Sequence, residues 1–495
     1  MNIRRLAIAN RGEVAVRIIL ACQELGIETV LLHSDVDSGT KAYRMADKRV
    51  CIGPAATASS YLNISANVQG ALAGGVDALH PGFGFLSENP DFAEAVEKAG
   101  IAFVGPSAAA MRKLGDKVSC KELANKLRLP LVPGYQGEFQ DVAALIAAAE
   151  QIGYPVIVKA AAGGGGRGMK ILRSREEAKE LIESAQREAL SAFGSAKVFL
   201  EKYLERAKHI EFQIFGDATG RVVHLYDREC SVQRRHQKII EEAISPSLTP
   251  ELRRKMGEVA CLLAESAGYQ GAGTVEFLLQ DEEFFLLEVN TRLQVEHPVT
   301  ELVMGVDLVK AQILTTAKKA SLFERSGMVP RGHAIECRIY AENPYEGGIP
   351  STGKLGRVYF PEGPGRRFEV GFEAGDEITP FYDPMIAKAI VWDETRTRAI
   401  QKMLRVLSDA IILGVHTNIP LLREILMHAD FVSGEMTTRF MEQHFSEALP
   451  QPELLAWEKE MVEQIYRKTP KSEKATGGAS ANPAENPFMA TWRTS

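Results

Sequence analysis

The sequence lacks closely spaced cysteines and any apolar run long enough to cross a bilayer. Its six cysteines form no CxxC pair: Cys22, Cys51, Cys120, Cys230, Cys261 and Cys337. This spacing predicts neither a zinc site nor a disulfide framework. Near the start, Arg11 and Glu13 interrupt the apolar segment that a signal peptide needs. We therefore expect a soluble protein of the cytoplasm that does not associate with membranes.

An excess of positive charge is also missing. The net charge is -6 at pH 7 and the isoelectric point is about 6.0. Because nucleic-acid binding needs a basic surface, we expect no nucleic-acid partner. An acidic substrate is still compatible with this composition, provided that a local group of lysines and arginines contacts it.

The amino-terminal segment lacks a dinucleotide-binding fingerprint. Residues 4–10 predict a strand, Glu13–Leu25 a helix that ends at Gly26, and Glu28–His33 a second strand. A dinucleotide site would place G-x-G-x-x-G at the first turn, but only Gly12 stands there. The pattern therefore predicts a small α/β unit that does not bind NAD.

The chain of 495 residues is too long for one core, so several packed units are expected. The first unit continues with predicted strands at Val76–Leu79 and Ala102–Val104. After about residue 130 the pattern predicts an α+β unit, whose helix is Glu176–Leu190 and whose strands are Tyr154–Lys159, Met169–Leu172 and Lys197–Tyr203. Beyond residue 330, short strands precede a helix at Thr397–Ala410, and this third unit ends near residue 446.

The last segment differs in composition from the rest of the chain. Pro452–Lys468 could form a charged amphipathic helix, and residues 469–487 have the composition of a disordered linker. A short apolar segment, PFMATW, follows. Two interpretations stay open, namely a solvated tail and a segment that docks on a partner.

A glycine-rich loop follows the strand that ends in Lys159. Residues 159–170 read KAAAGGGGRGMK, and glycines without Cβ atoms allow backbone N–H groups to surround phosphate oxygens. The lysine adds a positive charge for the same oxygens. The pattern does not fit G-x-x-x-x-G-K-[ST], so it predicts a polyphosphate loop outside the P-loop class. The alternative interpretation is a flexible linker.

Carboxylates on a predicted hairpin indicate a metal site. The strands Gly273–Leu279 and Glu283–Asn290 are joined at an acidic turn. Alternation along a strand places Glu288 and Asn290 on one face, with Glu276 on the partner strand. Carboxylate and amide oxygens are ligands that Mg²⁺ prefers when it bridges to ATP phosphates.

Polar residues after this hairpin predict a site for a small anion. The stretch NTRLQVEHP contains Arg292, which can hold an oxyanion with two donors, and Glu296, which could take a proton. A second basic cluster, RRHQK at 234–238, would also suit a small anion or a nucleotide, although a solvated loop is the alternative.

Segments around these residues resemble, in order, the biotin carboxylase family of ATP-grasp enzymes. The resemblance runs from about residue 3 to 446 and rests on IANRGEVAVRI, HPGFGFLSEN, GDKVSCK, KAAAGGGGRGMK, EKYLERAKHIEFQI, RRHQKIIEEA, GTVEFLL, EVNTRLQVEHPVTE, RGHAIECRIYAE and YDPMIAK. It implies an α/β and α+β architecture with an ATP-grasp fold. The implied domains are an amino-terminal Rossmann-like α/β domain (1–116), an ATP-grasp domain (117–330, with a glycine-rich lid at about 131–204) and a carboxy-terminal biotin carboxylase domain (331–446). Beyond them, composition predicts a partly helical, then disordered tail (447–495).

The resemblance implies the residues that contact ATP and the metal. Those for the phosphates are Lys117, Lys159, Gly163, Gly164, Gly165, Gly166, Arg167 and Gly168. Those for the adenine pocket are Met169, Glu201, Lys202, Leu204 and Leu278, and those near the ribose are His209, Gln233 and His236. Those for Mg²⁺, or Mn²⁺ in its place, are Glu276, Glu288 and Asn290.

The resemblance also implies how the carboxyl group is transferred. Bicarbonate would contact Lys238, Arg292, Gln294 and Val295. Glu296 would be the general base, and Arg338 would stabilise the negative charge that develops on the ureido oxygen of biotin. The implied catalytic set is thus Lys238, Arg292, Glu296 and Arg338. The reaction is the ATP-dependent carboxylation of biotin through carboxyphosphate, the first half-reaction of an acetyl-CoA or other acyl-CoA carboxylase.

The implied partners are a biotin carboxyl carrier protein, carboxyltransferase subunits and a second copy of the chain in a homodimer. A separate carrier is expected because the Ala-Met-Lys-Met motif of a biotin acceptor domain is not found in the sequence. Phe83 stands where the family has tyrosine, so this chain has no hydroxyl group at that position. The final carboxyl acceptor stays open.

Three other functions would also fit parts of the sequence. The chain could supply the biotin carboxylase activity of a two-subunit pyruvate carboxylase. It could be another ATP-grasp ligase that activates a different carboxylate. It could also be a non-catalytic scaffold that keeps the fold, but a scaffold predicts missing catalytic groups, whereas Lys238, Arg292, Glu296 and Arg338 are all present.

Overall fold

The computed structural model describes residues 2–135, 137–160, 169–193, 195–235, 237–317, 323, 328–451 and 460. Residues 2–114 form an α/β unit with these elements: β1 Arg5–Ile8, α1 Gly12–Leu25, β2 Glu28–Ser34, α2 Lys41–Met45, β3 Lys48–Gly53, α3 Ile64–Gly74, β4 Ala78–His80, α4 Pro90–Lys98, β5 Ala102–Phe103 and α5 Ala108–Leu114. The strands form a parallel sheet in the order β3-β2-β1-β4-β5.

Local sequence signals explain the ends of these elements. Helix α1 ends at Gly26, whose φ of 68° lies in the left-handed region that glycine adopts without strain. Strand β4 begins at Ala78, two residues later than predicted and directly after Asp77, whose carboxylate accepts the backbone N–H groups of Arg4 and Arg5. The predicted βαβ start is confirmed.

The second unit contains the strand that ends in the glycine loop. Its elements are α6 Lys117–Lys126, β6 Gly134–Tyr135, α7 Val142–Ile152, β7 Val156–Ala160, β8 Lys170–Leu172, α8 Arg175–Phe193 and β9 Val198–Lys202. The strands form an antiparallel sheet in the order β6-β9-β7-β8. Asp116 caps α6, since its carboxylate accepts the backbone N–H of Ser119, and this fixes Lys117 in the first turn.

An antiparallel sheet of eight strands forms the centre of the molecule. The next elements are β10 Lys208–Gly216, β11 Val222–Arg234, β12 Gln237–Ala243, α9 Pro250–Ser266, β13 Gly271–Gln280, β14 Glu283–Asn290, α10 His297–Met304 and α11 Leu308–Thr316. The predicted hairpin is confirmed as β13 and β14, with Glu276 opposite Glu288 and Thr274 opposite Asn290.

The remaining elements include three strands that complete this central sheet and six short strands that pair two by two outside it. They are β15 His333–Tyr340, β16 Glu342–Asn343, β17 Ile349–Pro350, β18 Gly353–Lys354, β19 Arg357–Tyr359, β20 Arg366–Val370, β21 Glu377–Ile378, β22 Met385–Asp393, α12 Arg396–Asp409, β23 Ile411–Leu413, α13 Ile419–Met427, α14 Ala429–Ser433 and α15 Phe440–His444. The order of the sheet is β14-β13-β10-β11-β12-β15-β22-β20. The domain boundary predicted at residue 330 therefore falls between neighbouring strands, β12 and β15, of one sheet.

The sequence also made predictions about membrane-spanning segments and about the carboxy-terminal tail. Among the described residues, no helix is long and apolar enough to cross a membrane. The predicted helix at Pro452–Lys468, apart from Glu460, and the predicted linker after it lie outside the described residues, so both stay predictions.

A buried lysine joins distant parts of the chain. The Nζ of Lys388, on β22, lies 2.6 Å from Glu369 Oε2 on β20 and 3.4 Å from Glu13 Oε1 on α1. It also donates to the backbone oxygen of Val295 at 2.7 Å. The Lys388 side chain is fully buried. Burial alone lowers the pKa of Lys388, but Glu13 and Glu369 have the larger combined effect and raise it above its usual range. The ammonium therefore stays charged.

Replacing Lys388 tests how much this junction stabilises the fold. Lys388→Met should lower the free energy of unfolding by about 3–5 kcal/mol, because it removes one partner of a buried ion pair. Chemical denaturation followed by circular dichroism measures this change. Lys98→Met is the control, since the Lys98 side chain is 79% exposed and should change stability little. Equal stability of the two variants would contradict a stabilising role.

Candidate active site

Lys238 lies at the centre of a group of buried carboxylates. Its Nζ is 2.5 Å from Glu211 Oε2 on β10, 2.8 Å from Glu276 Oε1 on β13 and 2.8 Å from Glu296 Oε1 just before α10. Burial lowers the pKa of Lys238, but the three carboxylates act in the opposite direction and hold it well above its usual range. The ammonium is therefore a permanent positive charge at neutral pH.

Glu296 is shared between two cations. Its second oxygen, Oε2, accepts from Nη2 of Arg338 at 2.8 Å, while Oε1 accepts from Lys238. The Glu296 side chain is fully buried. Burial raises the pKa of Glu296, but Lys238 and Arg338 reverse this effect and hold the pKa well below its usual range. A carboxylate that is ionised at neutral pH thus lies between two donors that can bind an anion.

Glu276 and Asn290 meet at the candidate metal site. Asn290 Nδ2 donates to Glu276 Oε1 at 2.8 Å, and Gln294 Nε2 donates to the same oxygen at 3.1 Å. His209 Nε2 lies 3.0 Å from the other oxygen, Oε2. Burial raises the pKa of Glu276, but Lys238 and His209 together lower it well below its usual range. Glu276 is therefore an ionised oxygen donor.

Glu288 completes the predicted metal ligands from the opposite strand. Its Oε2 lies 3.1 Å from Lys117 Nζ, and both residues line a cavity of about 200 Å³ together with Asn290. Two carboxylates and an amide oxygen are hard donors of the kind that Mg²⁺ or Mn²⁺ binds. The cavity next to Lys117 offers space beside them. The assignment of Glu276, Glu288 and Asn290 as ligands stays a prediction.

Arg292 is held by three side chains at the edge of the site. Its Nε donates to Glu88 Oε2 at 3.0 Å, Nη1 to Gln294 Oε1 at 2.8 Å and Nη2 to Asn290 Oδ1 at 3.0 Å. Arg292 and Gln294, both predicted to bind the anion, are therefore in contact, and Arg292 also donates to Asn290. Val295 is half-buried, and its backbone oxygen accepts from Lys388.

The predicted phosphate lysine Lys159 contacts a carboxylate of its own sheet. Lys159 Nζ lies 2.5 Å from Glu201 Oε2, and Lys121 Nζ lies 2.6 Å from Glu201 Oε1. Burial raises the pKa of Glu201, but the two lysines have the larger combined effect and lower it. Glu201, predicted near adenine, thus also balances the charge of two lysines that can turn to phosphate.

Other residues predicted to contact the nucleotide have varied surroundings. Lys202 Nζ donates to the backbone oxygens of Gly153 and Tyr154, at 2.8 Å each. Gln233 Nε2 and His209 Nδ1 are 2.9 Å apart. Three predicted apolar contacts are half-buried: Met169, Leu204 and Leu278. The predicted phosphate loop and one predicted ribose residue lie outside the described residues: Gly163, Gly164, Gly165, Gly166, Arg167, Gly168 and His236.

Several residues at the site were missed by the sequence analysis. Arg228 on β11 is fully buried, pairs with Glu211 and donates to Gln213 Oε1 at 2.8 Å. Glu241 accepts from Arg338, and Glu88 accepts from Arg292. Glu211 follows His209 at a spacing of two on a strand, and this alternation is a signal that could have placed it on the same face.

The chain matches three family models in succession. Residues 2–111 match "Biotin carboxylase, N-terminal domain". Residues 116–323 match "Carbamoyl-phosphate synthase L chain, ATP binding domain", and residues 336–443 match "Biotin carboxylase C-terminal domain". The three matches follow the chain in the same order as the units described above.

Individual relatives are similar over most of their length. A pyruvate carboxylase subunit of Methanothermobacter thermautotrophicus is 48% identical over 440 residues, which cover 89% of this chain and 90% of the relative. Biotin carboxylase 1 of Bacillus subtilis is 47% identical over 444 residues, covering 89% and 99%. A solved structure, the biotin carboxylase domain dimer of Hydrogenobacter thermophilus 2-oxoglutarate carboxylase with MgADP, ADP and bicarbonate, has a TM-score of 0.82 at 44% identity and covers 90% of this chain and 98% of that chain.

A substitution at Glu276 tests the candidate metal site. Glu276→Gln should weaken Mn²⁺ binding in the presence of ADP by at least about tenfold, because a neutral amide replaces an ionised oxygen donor. Electron paramagnetic resonance of free Mn²⁺ measures the affinity. Glu283→Gln, an exposed position at the far end of β14, is the control and should bind Mn²⁺ like the wild type. Unchanged affinity in Glu276→Gln would place the metal elsewhere.

Proposed function

Since the chain belongs to the biotin carboxylase family and is an ATP-dependent biotin carboxylase, we propose that the residues around Lys238 carry out its reaction. ATP and bicarbonate form carboxyphosphate, and the carboxyl group then passes to a biotin nitrogen. The observation that carries the proposal is the buried position of Glu296 between Lys238 and Arg338. It puts a base within reach of an anion that binds at either cation.

The phosphates of ATP bind at Lys117 and Lys159 in this proposal. Each lysine now contacts one carboxylate, Glu288 or Glu201, and phosphate oxygens can replace that contact. The glycine loop, Gly163–Gly168, lies outside the described residues and would contribute backbone N–H groups to the same oxygens. The remaining nucleotide contacts are Met169, Arg167, Glu201, Lys202, Leu204, His209, Gln233, His236 and Leu278.

The metal site lies beside these phosphates. Glu276, Glu288 and Asn290 would hold Mg²⁺, or Mn²⁺ in its place. The ion would neutralise charge on the phosphate oxygens. The contribution of the chain is to keep Glu276 ionised, through Lys238 and His209, and to orient Asn290, through Arg292.

Bicarbonate binds at Lys238 and Arg292, with Gln294 and the backbone of Val295. Glu296 takes the proton of bicarbonate, and the oxygen that has lost its proton attacks the terminal phosphorus of ATP, which releases ADP. The pKa of Glu296 is low, which alone makes it a weak base. The same cations also favour loss of the proton from an anion bound beside them, so the transfer stays feasible.

Biotin binds next to Arg338. Carboxyphosphate breaks down to CO₂ and phosphate, and this phosphate removes a proton from the biotin nitrogen. Negative charge then develops on the ureido oxygen, and the Arg338 guanidinium stabilises it until the nitrogen forms its new bond to the carbon of CO₂. Arg338 and Glu296 are in contact, so the sites for biotin and for bicarbonate are neighbours. Phe83 offers no hydroxyl here, and its ring lies 5.9 Å from Lys388 Nζ.

The partners follow from this chemistry. A biotin carboxyl carrier protein presents biotin to Arg338, and a carboxyltransferase takes the carboxyl group from the carrier. The Hydrogenobacter thermophilus relative is a dimer that contains bicarbonate, which supports a homodimer and bicarbonate binding here. The complete reaction is the carboxylation of acetyl-CoA or another acyl-CoA.

A second candidate for the complete reaction is the carboxylation of pyruvate. The observation that favours it is the 48% identity to the pyruvate carboxylase subunit of Methanothermobacter thermautotrophicus. The first half-reaction is the same in both cases, so the residues above do not separate them. Purification of the chain with its transferase, followed by assays with acetyl-CoA and with pyruvate, distinguishes the two.

The proposed function predicts that free biotin stimulates bicarbonate-dependent ATP cleavage. In Glu296→Ala, nucleotide binding should persist, whereas this cleavage should fall at least about 100-fold, because the base is lost. Release of ADP and binding of a fluorescent nucleotide measure the two effects. Glu283→Ala, which changes an exposed glutamate, is the control. Cleavage by the wild type that ignores biotin would favour another ATP-grasp ligase, and normal turnover in Glu296→Ala would exclude Glu296 as the base.

Arg338→Ala separates the two halves of the reaction. The catalytic efficiency with biotin should fall about 100-fold, because stabilisation of the ureido oxygen is lost, while ATP binding should change little. Carboxybiotin formation and nucleotide affinity are the two readouts. Arg357→Ala, which removes an exposed arginine of β19, should behave like the wild type. Equal losses of carboxylation and ATP binding would instead indicate a structural role for Arg338.

A further inference from the structure

The side chain of Arg338 is held by a second carboxylate, which the reaction above does not use. Arg338 Nε donates to Glu241 Oε1 at 2.6 Å, while Nη2 donates to Glu296 Oε2 at 2.8 Å. Glu241 lies on β12 and is fully buried. Two acidic residues thus grip different nitrogens of one guanidinium, which fixes the direction of its plane.

The sheet register brings this pair together. Glu241 lies opposite Glu336 in the pairing of β12 with β15, and Arg338 follows two residues after Glu336 on the same face. Glu241 and Arg338 are therefore diagonal neighbours, a distance that long side chains bridge. The backbone of Arg338 is fixed as well, because its strand is paired on both sides and its carbonyl accepts from Asn418.

The contact with Arg338 is the one hydrogen bond that the Glu241 side chain makes among the described residues. Its other oxygen, Oε2, is buried and without a hydrogen-bond partner there. Burial raises the pKa of Glu241 to about 7, although Arg338 acts in the opposite direction. A buried carboxylate with one partner costs free energy, so its presence beside the arginine proposed to bind biotin needs an explanation.

We propose that Glu241 is a positioning residue that aims the Arg338 guanidinium at the ureido oxygen of biotin. Without Glu241, Glu296 is the one carboxylate among the described residues that still accepts from the side chain, and the guanidinium can rotate away from the ureido oxygen. Small displacements of this kind lower the rate of transfer strongly. Formation of carboxyphosphate uses the charge of Arg338 beside Glu296 but not the direction of its guanidinium, so that step should change little. This inference rests on the proposed role of Arg338.

Substitutions at Glu241 test the inference in assays above the pKa of its carboxyl group. Glu241→Ala should lower the catalytic efficiency with biotin by about 100-fold. Glu241→Gln keeps the shape and an acceptor oxygen but loses the charge, so about a fivefold loss is expected. In both variants, the rate of bicarbonate-dependent ATP cleavage without biotin, measured by ADP release, should equal the wild-type rate. If Glu241→Ala does not fold, the same two readouts on Glu241→Gln decide.

The matched control is Glu336→Gln. Glu336 is buried opposite Glu241, and neither of its oxygens has a hydrogen-bond partner among the residues that the structure describes. Burial raises the pKa of Glu336 well above its usual range, so its carboxyl group is already neutral. Replacing it with the neutral amide of glutamine should therefore leave biotin carboxylation unchanged. A control as impaired as Glu241→Gln would overturn the inference.

Two further outcomes would also overturn it. One is wild-type efficiency with biotin in folded Glu241 variants, and the other is a parallel fall in ATP cleavage without biotin. Arg338→Ala, assayed alongside, separates this failure from a failure of the proposed function. If Arg338→Ala carboxylates biotin poorly and the Glu241 variants do not, the positioning role of Glu241 is wrong, while the proposed role of Arg338 stands. If Arg338→Ala also carboxylates biotin normally, the proposed role of Arg338 is wrong.

Discussion

Glu296 lies fully buried between the ammonium of Lys238 and the guanidinium of Arg338, and it stays ionised there because both cations are charged. The cations are in turn stabilised by further carboxylates, Glu211 and Glu276 at Lys238 and Glu241 at Arg338. The charges therefore form a chain in which each member balances the next. A substrate anion can enter this chain by replacing one carboxylate, without leaving a buried charge unpaired.

The central sheet makes this arrangement possible. Lys238, Arg338 and Glu276 lie on three different strands, and only a continuous sheet holds such strands at fixed spacings. Glu296 comes from the loop before α10, and Lys388 holds that loop through the carbonyl of Val295. The proposed base, Glu296, is thus positioned by backbone that a buried ion pair fixes, which links the stability of the fold to the geometry of the proposed site.

Local patterns in the sequence were sufficient for part of this description. The first βαβ segment and the hairpin of Glu276 and Glu288 could be predicted, because turns, alternation and helix ends are encoded within a few residues. The pairing of Glu241 with Arg338 could not, since the two residues are 97 positions apart and meet only through the sheet register. Lys388 likewise gains its partners from α1, β20 and the loop before α10, so no local signal marks it as buried.

The central claim is that bicarbonate binds where Glu296, Lys238 and Arg292 converge. A crystal structure with ADP, Mg²⁺ and bicarbonate tests this most directly. The account predicts the anion within hydrogen-bond distance of Lys238 Nζ and the Glu296 carboxylate, with Arg338 still on Glu241. Bicarbonate bound away from Glu296, with both of its ion pairs intact, would contradict the account.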